Sequence, residues 1–194
     1  ETYRSSRRYA IHDHRSEGVK GLITVEGGKW TTSRNLARKV IDHLWETTDL
    51  PIHRSLSARR YLEDCRIRDM TAFIHRIIRD NPDFEADTVA YLGRIYGTAC
   101  GRVLTLARQH RELARPLNPQ GDILAQAVFA ARHKMVHTLE DIVLRRTGIA
   151  TLGNPGRAIL QHVAAAVADE LGWDEARIDQ EVQDTTATLE IPKE

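Results

Sequence analysis

Two cysteines, Cys65 and Cys100, are all that 194 residues contain, and no C-x-x-C pairs them. This excludes a disulfide scaffold and a thiolate metal knuckle, leaving two thiols suited to a reducing compartment. Net charge is also nearly absent. Lys and Arg number 28 against 27 Asp and Glu, a formal +1. Such a balance gives no strong pull toward nucleic acid or an anionic membrane. No apolar run approaches the ~20 residues that would span a bilayer, and no signal-peptide pattern opens the chain. There is no internal repeat and no low-complexity tract. What is present is ordinary for a globular protein: 41% hydrophobic and 28% charged residues, enough for one solid core or for one domain with part of a neighbour. The first residue is Glu1 rather than methionine, as expected of a piece cut from a longer protein.

The patterning changes along the chain. Residues 3–12 read as extended, with Tyr9 and Ile11 on one face, and residues 13–19 as a polar connection. Leu22 to Val25 is a second strand. Thr31 or Thr32 is placed to cap a helix from Ser33 to Trp45, with Leu36, Val40, Ile41 and Leu44 on its inner stripe. Two strands and one helix cannot bury their own faces, so residues 1–46 read as the end of a larger α/β domain. Their apolar face is expected to be exposed unless dimerisation or strand exchange hides it. Residues 47–62 read as a linker.

Residues 63–194 read as a multi-helix domain. Residues 66–79 carry Ile67, Met70, Ile74, Ile77 and Ile78 toward a core. Residues 85–96 carry Val89, Leu92, Ile95 and Tyr96, and residues 98–110 carry Val103, Leu104 and Leu106. Asp122 is placed to cap a helix from Ile123 to Val136, with Leu124, Ala127, Val128 and Ala131 inward. Thr138 and Asp141 have capping-box spacing, and Arg145 and Arg146 suit the negative end of the helix that follows. Pro155 is placed to open a helix bearing Ile159, Val163, Val167 and Leu171, which Gly172 stops. Asp174 caps the last helix. The fold class is therefore mainly α: a helical domain preceded by a β-β-α remnant.

The chemistry-bearing stretch is Gly21 to Ala37. A short β-branched strand runs into Gly27-Gly28-Lys29, then Thr31 and Thr32, then a helix start. Glycines allow close backbone approach. A helix start offers unpaired N–H groups, and a lysine adds fixed positive charge. This suits an electron-rich group such as a phosphate or an anionic ring. The bland alternative is a strand-to-helix turn with a solvated lysine. Thr31 and Thr32 can serve as ligand donors, as caps, or as both. His133 and His137 share a helix face at i, i+4 but lack the H-E-x-x-H glutamate and a third ligand, so no metal site is expected.

Ser6-Arg7-Arg8-Tyr9 followed by Gly21 to Ala37 resembles the end of the flavin domain of FAD-dependent glycerol-3-phosphate dehydrogenases. Leu92 to Gly97, Ala131 to Thr147 and Ala168 to Asp174 are similar to elements of the same family, in the same order. The resemblance runs from near Ser6 to near Val182. It implies the last segment of an FAD-binding domain plus a helical C-terminal domain. It further implies an enzyme that oxidises glycerol 3-phosphate to dihydroxyacetone phosphate and passes electrons to a quinone. The expected setting is cytoplasmic, with peripheral contact on the inner face of the membrane and a homodimer as an open possibility.

The same resemblance assigns Arg7 to the substrate. It assigns Gly27, Gly28, Lys29, Thr31 and Thr32 to the flavin turn. Arg8 stands where an acidic or amide residue is more usual, which leaves open which of Arg7 and Arg8 points inward, since neighbours on a strand face opposite ways. Trp30 replaces a leucine-like residue. No catalytic base is expected in this chain. Asp13 and His14 are expected in a structural turn. Glu140, Asp141, Arg145 and Arg146 are expected as buried ion pairs and caps rather than chemistry. No G-x-G-x-x-G is present, so this chain alone is expected to bind FAD negligibly and to be inert. Two other readings stay open: an oxidase that hands electrons to oxygen, and a free-standing helical interaction module. Arginines scattered over several helices argue against nucleic acid.

Overall fold

The computed structural model describes residues 9–27, 29–48, 51, 53 and 55–190. The chain divides into two units, Glu1–Leu62 and Glu63–Glu194.

In the first unit, strands β1 (Ala10–Asp13) and β2 (Ile23–Glu26) pair antiparallel, with Ile11 opposite Val25 and Asp13 opposite Ile23. The expected polar connection contains a short 3-10 turn, His14–Glu17. Asp13 caps it by accepting the Arg15 N–H at 3.0 Å, and Gly18 closes it in the left-handed region at φ 86°. His14 Nε2 and Thr24 Oγ1, 2.8 Å apart, tie this turn to β2. Helix α1 (Ser33–Thr47) is fixed to the hairpin at three places. His43 Nε2 donates to Asp13 Oδ2 at 3.0 Å, Arg15 donates to the Thr47 carbonyl at 2.7 Å, and the Lys39 ammonium lies 5.1 Å from the Tyr9 ring centre. The polar ties replace a core: α1 contains no buried residue, and Val19, Leu22, Val25, Trp30, Ile41 and Trp45 are exposed.

The second unit holds the hydrophobic core. Its helices are α2 (Met70–Asp80), α3 (Ala86–Tyr96), α4 (Cys100–Gln109), α5 (Leu124–His133), α6 (Arg157–Leu171) and α7 (Glu175–Leu189), with a π-helical segment at Asp141–Arg146. Successive helices pack against one another from α2 through α6 to α7. Helix α5 is central, because Ala125 to Ala130 are all buried, and a helix apolar all round belongs inside. Asp69 caps α2 by accepting the Ala72 N–H at 2.9 Å, and Asp174 caps α7 by accepting the Arg177 N–H at 2.8 Å. Gly172 ends α6 in the left-handed conformation, as its position predicts.

Several details differ from expectation. Asp122 does not cap α5. Gln126 does, accepting the Ile123 N–H at 2.8 Å. Asp122 is instead a fully buried hub that accepts from Tyr91, Asn118 and Gln126. Burial and this hydrogen bond push the Tyr91 phenol far above its ordinary value. Helix α5 ends at His133, not Val136, because Met135 turns left-handed at φ 52°. Ile95, expected inward, is 44% exposed.

Candidate functional site

The turn between β2 and α1 carries the cofactor residues named from sequence. Gly27 is left-handed at φ 72° and so reverses the strand without a Cβ penalty. Lys29 is extended and opens a 3-10 turn, Trp30–Thr32, that leads directly into α1. Thr32 is not a side-chain cap. Its hydroxyl donates back to the Lys29 carbonyl at 3.0 Å, and the Ser33 hydroxyl donates to the Trp30 carbonyl at 2.8 Å. The 3-10 entry supplies the turn's hydrogen bonds, which removes the need for a threonine cap. Lys29, Trp30, Thr31 and Thr32 are all exposed, and Trp30 reaches 96%. Lys29 forms no ion pair among the described residues. The turn thus presents an indole, a cation and hydroxyls together on an open edge. Arg7, Arg8 and Gly28 lie outside the described residues.

Asp13 and His14 serve the hairpin. The Arg15 backbone N–H and then His43 hold the Asp13 carboxyl below its ordinary value. Neither residue projects as an unengaged acid or base.

The segment Ala131 to Thr147 folds into two parts. Thr138 and Asp141 form the capping box read from sequence: the Asp141 N–H donates to Thr138 Oγ1 at 3.1 Å, and Asp141 Oδ2 accepts from the Thr138 and His137 N–H groups. These bonds lower the Asp141 pKa, with the His137 N–H the largest cause. The following turn is π-helical rather than α-helical. The Thr147 hydroxyl donates to the Ile142 carbonyl at 2.8 Å and closes the end of this wider turn. Arg145 bridges Glu140 at 2.7 Å and Asp141 at 3.2 Å, but its side chain is 55% exposed. The buried ion pairs expected here are therefore surface pairs, because the π turn carries Arg145 and Arg146 to the rim.

That rim borders a feature not singled out from sequence. Two neighbouring hollows in the helical unit, of about 560 and 530 Å³, share Ile95 and Lys134. The first is lined by Arg94, Tyr96, Arg102, Phe129 and His133, the second by Arg145, Arg146, Gly148 and Thr151. The available signal was the density of basic residues from Arg132 to Arg146, whose convergence needs the tertiary fold.

Residues 22–178 match the family described as the C-terminal domain of alpha-glycerophosphate oxidase. The chain belongs to this family. The match begins at β2, so it includes the Gly27–Thr32 turn and most of the helical unit. A glycerol-3-phosphate dehydrogenase of Synechocystis is 29% identical over 180 residues, which is 92% of this chain and 32% of that relative. A mitochondrial glycerol-3-phosphate dehydrogenase of Arabidopsis thaliana is 28% identical over 187 residues, 89% of this chain and 30% of the relative. One from Mycobacterium leprae is 28% identical over 194 residues, 98% and 32%. The chain spans about a third of the length of these relatives. Among the described residues, no helix is long and apolar enough to cross a membrane.

Proposed function

We propose that this chain is the C-terminal portion of an FAD-dependent enzyme that oxidises glycerol 3-phosphate to dihydroxyacetone phosphate and passes the electrons to a quinone. The observation that carries the reading is the family match over residues 22–178, beside relatives named for that dehydrogenase. The open edge at Gly27–Thr32 fits the pyrimidine side of a flavin. Its lysine is unpaired among the described residues, and its indole lies bare. FAD bound there would supply the acceptor for a hydride from the secondary alcohol carbon.

In this reading Lys29 supplies a fixed positive charge beside the ring, a preorganised electrostatic role. Thr31 and Thr32 line the same turn, with Gly27 and Gly28 giving close backbone access. Arg7 binds the substrate phosphate, for which a bidentate guanidinium is the suited donor. The base that takes the alcohol proton comes from outside this chain. The helical unit acts as a cap and buttress for the flavin domain. The chain alone holds FAD negligibly and is inert. The enzyme meets its quinone at the membrane surface on the cytoplasmic side. A second reading, an oxidase using oxygen, is favoured by the description of the matched family, which names an oxidase.

The test uses the whole enzyme, with the parent's N-terminal portion restored. Glycerol 3-phosphate should then reduce a quinone analogue. Lys29→Met should lower kcat for flavin reduction by roughly tenfold or more, in line with loss of one oriented charge in a protected site. Absence of substrate-dependent reduction in a flavin-loaded whole enzyme would refute the function. An unchanged Lys29→Met rate would refute the assigned role of Lys29. Stoichiometric hydrogen peroxide would select the oxidase.

A further inference from the structure

The cations around the two hollows of the helical unit are unevenly compensated. Arg102 is neutralised by Asp64 at 2.8 Å, and Arg145 by Glu140 and Asp141. Lys134 and Arg146, which line the same hollow, have no carboxylate within ion-pair distance among the described residues. Lys134 is half-buried, and its ammonium lies 4.9 Å from the Tyr96 ring centre and 5.9 Å from that of Phe129. Burial first, then Arg146 and Arg102, push the Lys134 pKa down. Asp64, the acid that acts on Lys134, has its carboxylate oxygens taken by Thr98 and Arg102.

Lysine and arginine at the ends of helical segments usually complement the dipole. Lys134 follows α5 and Arg146 ends the π turn, so both could do only that. Lys134 borders both hollows: its ammonium sits over Tyr96 and Phe129, which line the first, and the residue lines the second together with Arg146. Keeping a half-buried ammonium near the unpaired Arg146 guanidinium is costly without an anion. The hollow also offers the Thr151 hydroxyl and an apolar wall at Ile95 and Leu152.

We propose that Lys134 and Arg146 form a binding site for a phosphate monoester, with the phosphate between the two cations and the organic part along the wall of Ile95 and Leu152. Two cations of different geometry suit it: the guanidinium offers a planar fork and the ammonium a mobile point charge. The same group occurs on small soluble metabolites and on phosphatidic acid at a lipid surface. The site lies wholly in the helical unit and is independent of the flavin reading, so it can be tested without turnover.

The full chain should be titrated with sodium phosphate, with sodium chloride at matched ionic strength as control, and followed by amide NMR. Saturable shifts are expected at Lys134, Met135, Arg146, Thr147 and Gly148. The double substitution Lys134→Ala and Arg146→Ala should weaken the affinity by roughly tenfold or more. Arg157→Ala, which removes an exposed arginine at the start of α6, should leave it unchanged. A parallel arm measures co-sedimentation with phosphatidylcholine vesicles with and without phosphatidic acid. Vesicle binding lost in the double variant supports the site and assigns the lipid source; phosphate binding alone supports it and assigns a soluble source. Shifts that chloride reproduces, or phosphate affinity equal in a double variant with unaltered circular dichroism, would overturn the proposal.

Discussion

Gly97 leaves no room for a side chain, and what blocks it is backbone. It sits at φ 56° and ψ −134°, and a Cβ there would lie 2.1 Å from the Asp64 carbonyl oxygen. That oxygen is already held by the Thr98 N–H at 3.0 Å, while the Asp64 carboxylate takes the Thr98 hydroxyl and Arg102. The contact is backbone to backbone, so no side chain can swing away. Gly97→Ala should therefore cost ~3 kcal/mol or more, combining strain with a clash. Gly153 is the control. It is left-handed at φ 120°, but nothing lies near its missing Cβ. Gly153→Ala should cost only the backbone strain, ~1–2 kcal/mol. Urea midpoints of the two variants decide the matter, and equal losses would show that the clash is relieved by relaxation.

At the level of elements, what could be read from sequence divides cleanly by range. Asp69 was not singled out, but Asp174, Gly172 and the pair Thr138–Asp141 act as their positions predict, because a cap is satisfied within three or four residues. Asp122 looked equally like a cap. Its fate was set by Tyr91, 31 residues away, whose hydroxyl no local pattern locates. The π turn at Asp141–Arg146 was hidden too, because its apolar residues Ile142 and Val143 fit a helical stripe of either width. The glycine pair and Lys29 marked the β2–α1 turn correctly as a turn. The threonine cap failed because a 3-10 entry competes with it.

Two element-level tests follow from the same bonds. Glu181 on α7 is nearly fully buried, pairs with Arg177, and accepts the Leu139 N–H at 2.6 Å. Glu181→Ala would leave that buried N–H without a partner and should cost ~2–3 kcal/mol in urea unfolding. Glu181→Gln, which keeps an acceptor, should lose less. For Asp141 the folded pKa lies below the ordinary 3.8. Its carboxylate therefore adds stability that is complete above that ordinary value and fades as pH falls through the lower folded one. Thermal midpoints of the parent and of Asp141→Asn should differ most near neutrality and converge below about pH 4. A gap of constant size at pH 3 would mean that the capping box does not depend on charge.

Across the whole molecule, stability is distributed very unequally. The helical unit encloses a continuous core in which Val89, Leu92, Leu104, Ile123, Leu139, Ile142 and Leu160 are wholly shielded from water. No described residue of the first unit is buried, and its hairpin and helix are held by exposed or half-buried polar ties. Polar ties at a surface contribute little each, whereas burial of apolar area supplies most folding free energy. Opening of α1 should then cost far less than opening of α5. In hydrogen–deuterium exchange on this chain, the amides of Ser33–Thr47 should exchange at least about a hundredfold faster than those of α5 and α6. Joining the parent's N-terminal portion should slow exchange in α1 and quench the solvent accessibility of Trp30, because the bare faces would gain an apolar partner. Equal protection of α1 and α5 in the chain by itself would mean that the first unit is stabilised without a core of its own. The view of it as one part of a larger flavin domain would then lose its physical basis.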